Sequence, residues 1–86
     1  MADYSITFAR SARKELEALS NPLIQRIFPK IEALNVEPRP SGCRKLQGFE
    51  NLWRIRVGDH RVIYSVDDNL RIVDVVAVRH RRQAYE

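Results

Sequence analysis

Eighty-six residues, 44% of them hydrophobic and 30% charged, suffice for one modest core and are too apolar for a disordered chain. Twelve arginines and three lysines against eleven acidic residues leave a net charge of +4 and a pI of about 9.7, which suits a polyanionic partner but locates no site. The lone Cys43 excludes an internal disulfide, no run approaches the roughly eighteen apolar residues of a membrane span, and no basic-then-apolar leader opens the chain, so a single cytoplasmic domain over residues 1–86 is expected.

Tyr4, Ile6 and Phe8 alternate with Ser5 and Thr7, which predicts a short half-buried strand. Ala9 to Leu19 reads as a helix, with Ala12, Leu16 and Leu19 at helical spacing. Ser20-Asn21-Pro22 stops it and starts another, Asn21 being placed to cap and Pro22 to take the first position. The second helix runs to about Leu34 on a stripe of Leu23, Ile24, Ile27, Phe28, Ile31 and Leu34. Pro29 lies off that stripe, which predicts a kink and not a break. Val36 to Asn51 is aperiodic, broken by Pro38, Pro40, Gly42 and Gly48, and basic at Arg39, Arg44 and Lys45; Leu46 and Phe49 are expected to pin it to the core.

Leu52 to Tyr64 predicts two antiparallel strands turning at Gly58-Asp59, the second extending from His60 to Val66. Trp53, Ile55 and Val57 share one face of the first strand, Arg54 and Arg56 the other, and Arg61 can join them across the turn. Asp67-Asp68-Asn69 is a further turn. Leu70 to Arg79 follows as the last strand, so rich in valine that it reads as central, with Asp74 in need of a partner or an open face. His80 to Glu86 reads as a closing helical turn. The order β-α-α-β-β-β defines an α+β domain, a helical hairpin packed on a mainly antiparallel sheet.

No Cys/His cluster has zinc spacing, and no glycine-rich loop precedes a helix, so neither a metal nor a cofactor is expected. What remains is basic: Arg54 and Arg56 on one strand, Arg61 on the next, and Arg79, Arg81 and Arg82 around the end of the last. Guanidinium forks match phosphate oxygens, and Tyr85, four residues after Arg81, offers a ring for base stacking, a combination suited to single-stranded RNA. His80 is the one group here whose ordinary pKa lies near neutrality. Arginine on exposed strand positions also serves solubility and edge protection, so the pattern alone leaves both open.

Lys45-Leu46-Gln47-Gly48, Trp53-Arg54-Ile55-Arg56-Val57, Arg61-Val62-Ile63-Tyr64 and Val78-Arg79-His80-Arg81-Arg82 with Tyr85 form a set that resembles the RelE/ParE toxin superfamily. The likeness is to the RelE branch, the ribosome-dependent mRNA endoribonucleases (mRNA interferases) of type II toxin–antitoxin pairs. It implies a RelE-like fold, an antitoxin partner, and metal-independent cleavage of ribosome-held mRNA to a 2′,3′-cyclic phosphate. By position it assigns the paired basic residues to Arg54 and Arg56, phosphate stabilisation to Arg61, the general acid to Arg81 and base stacking to Tyr85. Arg44, Lys45, Arg79 and Arg82 are the further candidates for RNA and ribosome contact, and His80 is a candidate proton acceptor. The best-studied branch has lysines at the positions of Arg54 and Arg56 and a longer carboxy-terminal helix. Two alternatives stand beside this one: a ParE-like gyrase inhibitor, and a catalytically silent antitoxin-binding module.

Overall fold

Valine and isoleucine crowd the second half of the chain, and that half builds the sheet. A computed structural model describes residues 3–82. The elements are β1 (Ser5–Phe8), α1 (Arg10–Glu17), α2 (Asn21–Glu32) with a 3-10 turn at Ala33–Asn35, β2 (Arg44–Lys45), β3 (Trp53–Val57), β4 (His60–Asp67) and β5 (Ile72–His80). Their order across the sheet is β1-β5-β4-β3-β2, with β1 parallel to β5 and the other neighbours antiparallel. Short β2 is an addition to the predicted order: two residues of the aperiodic loop pair with Trp53 and Arg54, too short a run for periodicity to reveal.

Both helices lie on one face. Ala12, Leu16, Ile27 and Ile31, with Leu34, pack against Ile55, Val62, Tyr64, Val73, Val75 and Val78. The helix through Pro29 is unbroken, as its apolar stripe requires. Pro29 and Gln25, whose carbonyl would have received the missing N–H, are both exposed, which leaves that side of the helix open to water. Ser20, not Asn21, occupies the cap position, and Asn21 opens the helix itself. Phe28 is half out of the stripe, stacked on Phe8 at 6.4 Å.

The last strand starts two residues later than its composition suggests. The Asp67 carboxylate accepts the N–H groups of Asn69 and Leu70, both at 2.9 Å, and Arg71 takes a left-handed conformation (φ 58°), so the turn extends through both residues. Asp74 meets its need: it accepts the Thr7 hydroxyl at 2.7 Å from neighbouring β1. Within β5 the pairing with β4 slips by one residue, Ile63 facing Ala77 and Tyr64 facing Val75, which leaves Val76 as a β-bulge. Val73 and Val75 therefore point to the helices, while Ala77 and Arg79 point away and Val78 and His80 point back.

The long loop is held by polar contacts as much as by apolar ones. Asp68 accepts the Tyr4 hydroxyl at 2.6 Å and pairs with Arg39 at 3.0 Å, and the Arg39 guanidinium lies 4.9 Å from the Trp53 ring centre. Buried Tyr64 donates to the Pro38 carbonyl at 2.7 Å. Leu46 is buried as expected, though on the face away from the helices with Ile63 and Ala77; Phe49 is 56% exposed and does not pin the loop.

Ile31, with no exposed surface, gives a direct test of the helix-side core. Ile31→Ala should cost about 2–5 kcal/mol in urea unfolding; a change below 1 kcal/mol would place α2 elsewhere. The Arg39 guanidinium, then the Tyr4 hydroxyl, hold the Asp68 carboxyl below its ordinary value of 3.8. The stability that this contact contributes is complete above the ordinary value and is lost as pH falls through the lowered one. Asp68→Asn should therefore flatten the acid limb of stability below about pH 4.

Candidate nucleic-acid interface

Residues facing each other across antiparallel strands share a face, with Cβ atoms about 5 Å apart. Arg56 on β3 faces Arg61 on β4, and Arg61 faces Arg79 on β5, so three arginines form a row across three strands. One pleat repeat away, Arg44 on β2 faces Arg54, and that row continues into Ile63 and Ala77. These five arginines lie on the face opposite the helices. Arg44 and Arg56 are exposed, Arg54 and Arg61 half-buried. With Gly42, the side chains of Arg44, Arg54 and Arg56 border a shallow cleft of about 210 Å³. Lys45 faces Trp53 and so falls on the other side of β2 from Arg44.

Arg81 is set by backbone. The Gly58-Asp59 turn has Gly58 at φ 61°, the conformation that a two-residue hairpin with glycine in its first central position requires. The Asp59 carbonyl accepts the Arg81 N–H at 2.7 Å, placing Arg81 beside the turn at the end of the three-arginine row. Arg82 is exposed next to it. His80 faces His60 on the helix side, away from Arg79, with ring centres 5.3 Å apart and planes at 88°. Tyr85 lies outside the described residues. Among those described, no group of three His, Cys, Asp or Glu stands where it could hold a metal ion.

Two contributors escaped the sequence reading. Glu15 on α1 takes the Val78 N–H at 2.9 Å and the Arg79 Nε at 3.1 Å, so an acidic partner reaches the row from the edge of β5. Its position three residues after Ala12, within the apolar stripe, was the available signal: an acid there must find a partner. Arg26 on α2 lies against the hairpin tip, its Nη2 3.2 Å from where a Cβ on Gly58 would stand. Nothing in local spacing announces that contact. A small apolar patch adjoins the arginines: Leu46, Ile63 and Ala77, with Leu52, Val76 and exposed Phe49, line a hollow of about 280 Å³ that Arg79 borders.

A helical hairpin on one face of a five-stranded mixed sheet is the architecture of solved RelE toxins. RelE in the RelE–RelB complex of Pyrococcus horikoshii OT3 is 29% identical, with a TM-score of 0.81 over 98% of this chain and 100% of that one. The intact RelBE complex of E. coli gives 25% identity and a TM-score of 0.81 over 96% and 99%. RelE1 of Methanocaldococcus jannaschii, a candidate toxin, is 26% identical over 86 residues, 96% of each chain. Residues 6–85 match the model of the ParE toxin of type II toxin–antitoxin systems, and the chain belongs to that family, within the RelE/ParE toxin superfamily.

Like charges facing one another destabilise a sheet by a few tenths of a kcal/mol to about 1 kcal/mol. Arg56→Gln, which relieves the contact with Arg61, should raise the urea midpoint at low salt. The gain should shrink at 0.5 M salt as screening takes over. A loss of stability at low salt would show that the row is not repulsive in the free protein.

Proposed function

We propose that this toxin is a ribosome-dependent mRNA endoribonuclease restrained by a cognate antitoxin. The observation that carries it is the open-face row Arg56, Arg61 and Arg79, extended by Arg44 and Arg54, with Arg81 fixed at its end. Such a row concentrates positive charge on one open face, and a polyanion is the partner whose charge complements it.

In the reaction the RNA 2′-hydroxyl passes its proton to a water molecule and its oxygen attacks the adjacent phosphorus. The bond to the 5′-oxygen breaks, and that oxygen takes a proton from water, leaving a 2′,3′-cyclic phosphate and a 5′-hydroxyl. Negative charge grows on the non-bridging oxygens, so donors fixed in advance favour the transition state over the ground state. Arg61 binds those oxygens. Arg81 serves the leaving 5′-oxygen. Arg54 and Arg56 neutralise and orient, because guanidinium groups keep their protons at neutral pH. The ribosome holds the mRNA in line for attack, which supplies the positional part of catalysis. Tyr85 stacks on a base, and Arg44, Lys45, Arg79 and Arg82 contact RNA or ribosome; no cofactor or metal takes part. The antitoxin follows from the solved relatives, which include RelE–RelB complexes from P. horikoshii and M. tuberculosis. A net charge of +4 suits an acidic segment wrapping the toxin.

The test is single-turnover cleavage of mRNA on programmed ribosomes, with and without a chelator, beside free RNA. Cleavage should need the ribosome and withstand metal depletion. Arg61→Ala and Arg81→Ala should each slow the chemical step more than about tenfold while ribosome binding weakens less. Arg56→Lys should keep much of the rate that Arg56→Ala loses. Arg81→Ala cutting at the parent rate would remove its assignment. Inhibition of gyrase supercoiling without mRNA cleavage would move the chain to the ParE-type function that its family model names.

A further inference from the structure

His80 stands next to the residue assigned to the leaving group, yet its ring is on the wrong side of the sheet for the arginine row. It faces His60, and with Glu15, Leu19 and Val78 the two rings border a cleft of about 270 Å³ against the end of α1. What the ring does there is visible in one contact: its Nδ1 accepts the Arg82 N–H at 3.3 Å. A side chain that receives the N–H two residues ahead closes a small ring around the residue between, as asparagine does in an Asx turn. The residue between is Arg81. Its own N–H is already fixed on the Asp59 carbonyl. The backbone on both sides of Arg81 is thereby tied, once to the hairpin turn and once to an imidazole.

We propose that His80 is a positioning residue for Arg81: its neutral ring closes the turn that sets where the Arg81 side chain leaves the sheet, and protonation opens that turn. The activity consequences rest on the nuclease function proposed above; the turn itself does not. An imidazole accepts at Nδ1 only while that atom carries no proton, and imidazolium is a donor at both nitrogens. Arg81 and Arg82 follow His80 directly, His60 lies edge-on at 5.3 Å, and Arg26 of α2 lies close enough to lower the His60 pKa. Of the acids, Glu15 on α1 is engaged by Val78 and Arg79, and Asp59 sits in the turn. Burial first, and His80 second, hold His60 below the ordinary imidazole value, so its own charging falls at lower pH.

Asparagine at position 80 can accept the same N–H and does not titrate, whereas phenylalanine fills the space and accepts nothing. The first measurement is ¹⁵N NMR of the full chain from pH 5 to 8, following the Arg82 amide and the His80 ring. The amide should shift in step with the ring in the parent and stay still in His80→Asn. An Arg82 amide indifferent to the His80 titration overturns the proposal, whatever the enzyme does. The second is the single-turnover rate on ribosomes. His80→Phe should lose about tenfold in the chemical step with ribosome affinity unchanged, and His80→Asn should recover most of that rate without the parent's fall toward pH 5. Equal rates in the two variants, or the same acid fall in His80→Asn as in the parent, overturn the positioning role. A parent that cuts no mRNA would instead sink the nuclease assignment and leave the NMR result to decide the turn.

Discussion

One extra residue in β5 carries the strand's alternation from one side of the sheet to the other. Before Val76 the odd positions, Val73 and Val75, feed the helix-side core; after it the odd positions, Ala77 and Arg79, face away. In a regular strand, Arg79 would share a face with Val75 and enter the core beneath α1, where an arginine is expensive. With the bulge it lines up with Arg61 and Arg56, and the same phase change sends His80 toward His60. The candidate interface is therefore as much a product of strand pairing as of arginine content.

The bulge lies where β5 loses its outer neighbour. β1 pairs with β5 only as far as Val75. Beyond that point α1 takes over the edge, its Ser11 hydroxyl on the Val76 carbonyl at 3.4 Å and its Glu15 carboxylate on the Val78 N–H at 2.9 Å. A backbone donor at a covered sheet edge has to be satisfied, and here a side chain replaces a missing strand. The same carboxylate steadies Arg79 at the end of a like-charged row. Structural and functional demands thus meet in one acidic residue.

At the other end of the sheet, Asp68 joins Tyr4, Arg39 and the β4–β5 turn, while Arg39 covers Trp53. These contacts fasten the long loop that delivers β2, and β2 brings Arg44 opposite Arg54. Each contact is exposed and individually weak. Their combined effect, with buried Leu46, is to place a loop residue, Arg44, in register with a strand residue, Arg54.

Sequence alone determined the layers and the family. Period-two alternation at Tyr4–Phe8 and Trp53–Val57, the apolar stripe of α2, and the Gly58-Asp59 turn are local signals, because strand pleat, helix pitch and turn conformation are set by neighbouring residues. They gave the helical hairpin, the hairpin strands, and Arg54 and Arg56 on the face away from Trp53. The motif set around Arg61 and Arg81 also pointed to the family that the relatives bear out. Tertiary structure decided what depends on partners distant in the chain: the pairing of β2, the parallel placement of β1, the bulge at Val76, the reach of Glu15 to Arg79 and of Arg26 to Gly58, and the side on which His80 lies. Glu15 and Arg79 are sixty-four residues apart, and no local periodicity encodes a contact that exists only once the sheet has closed against α1.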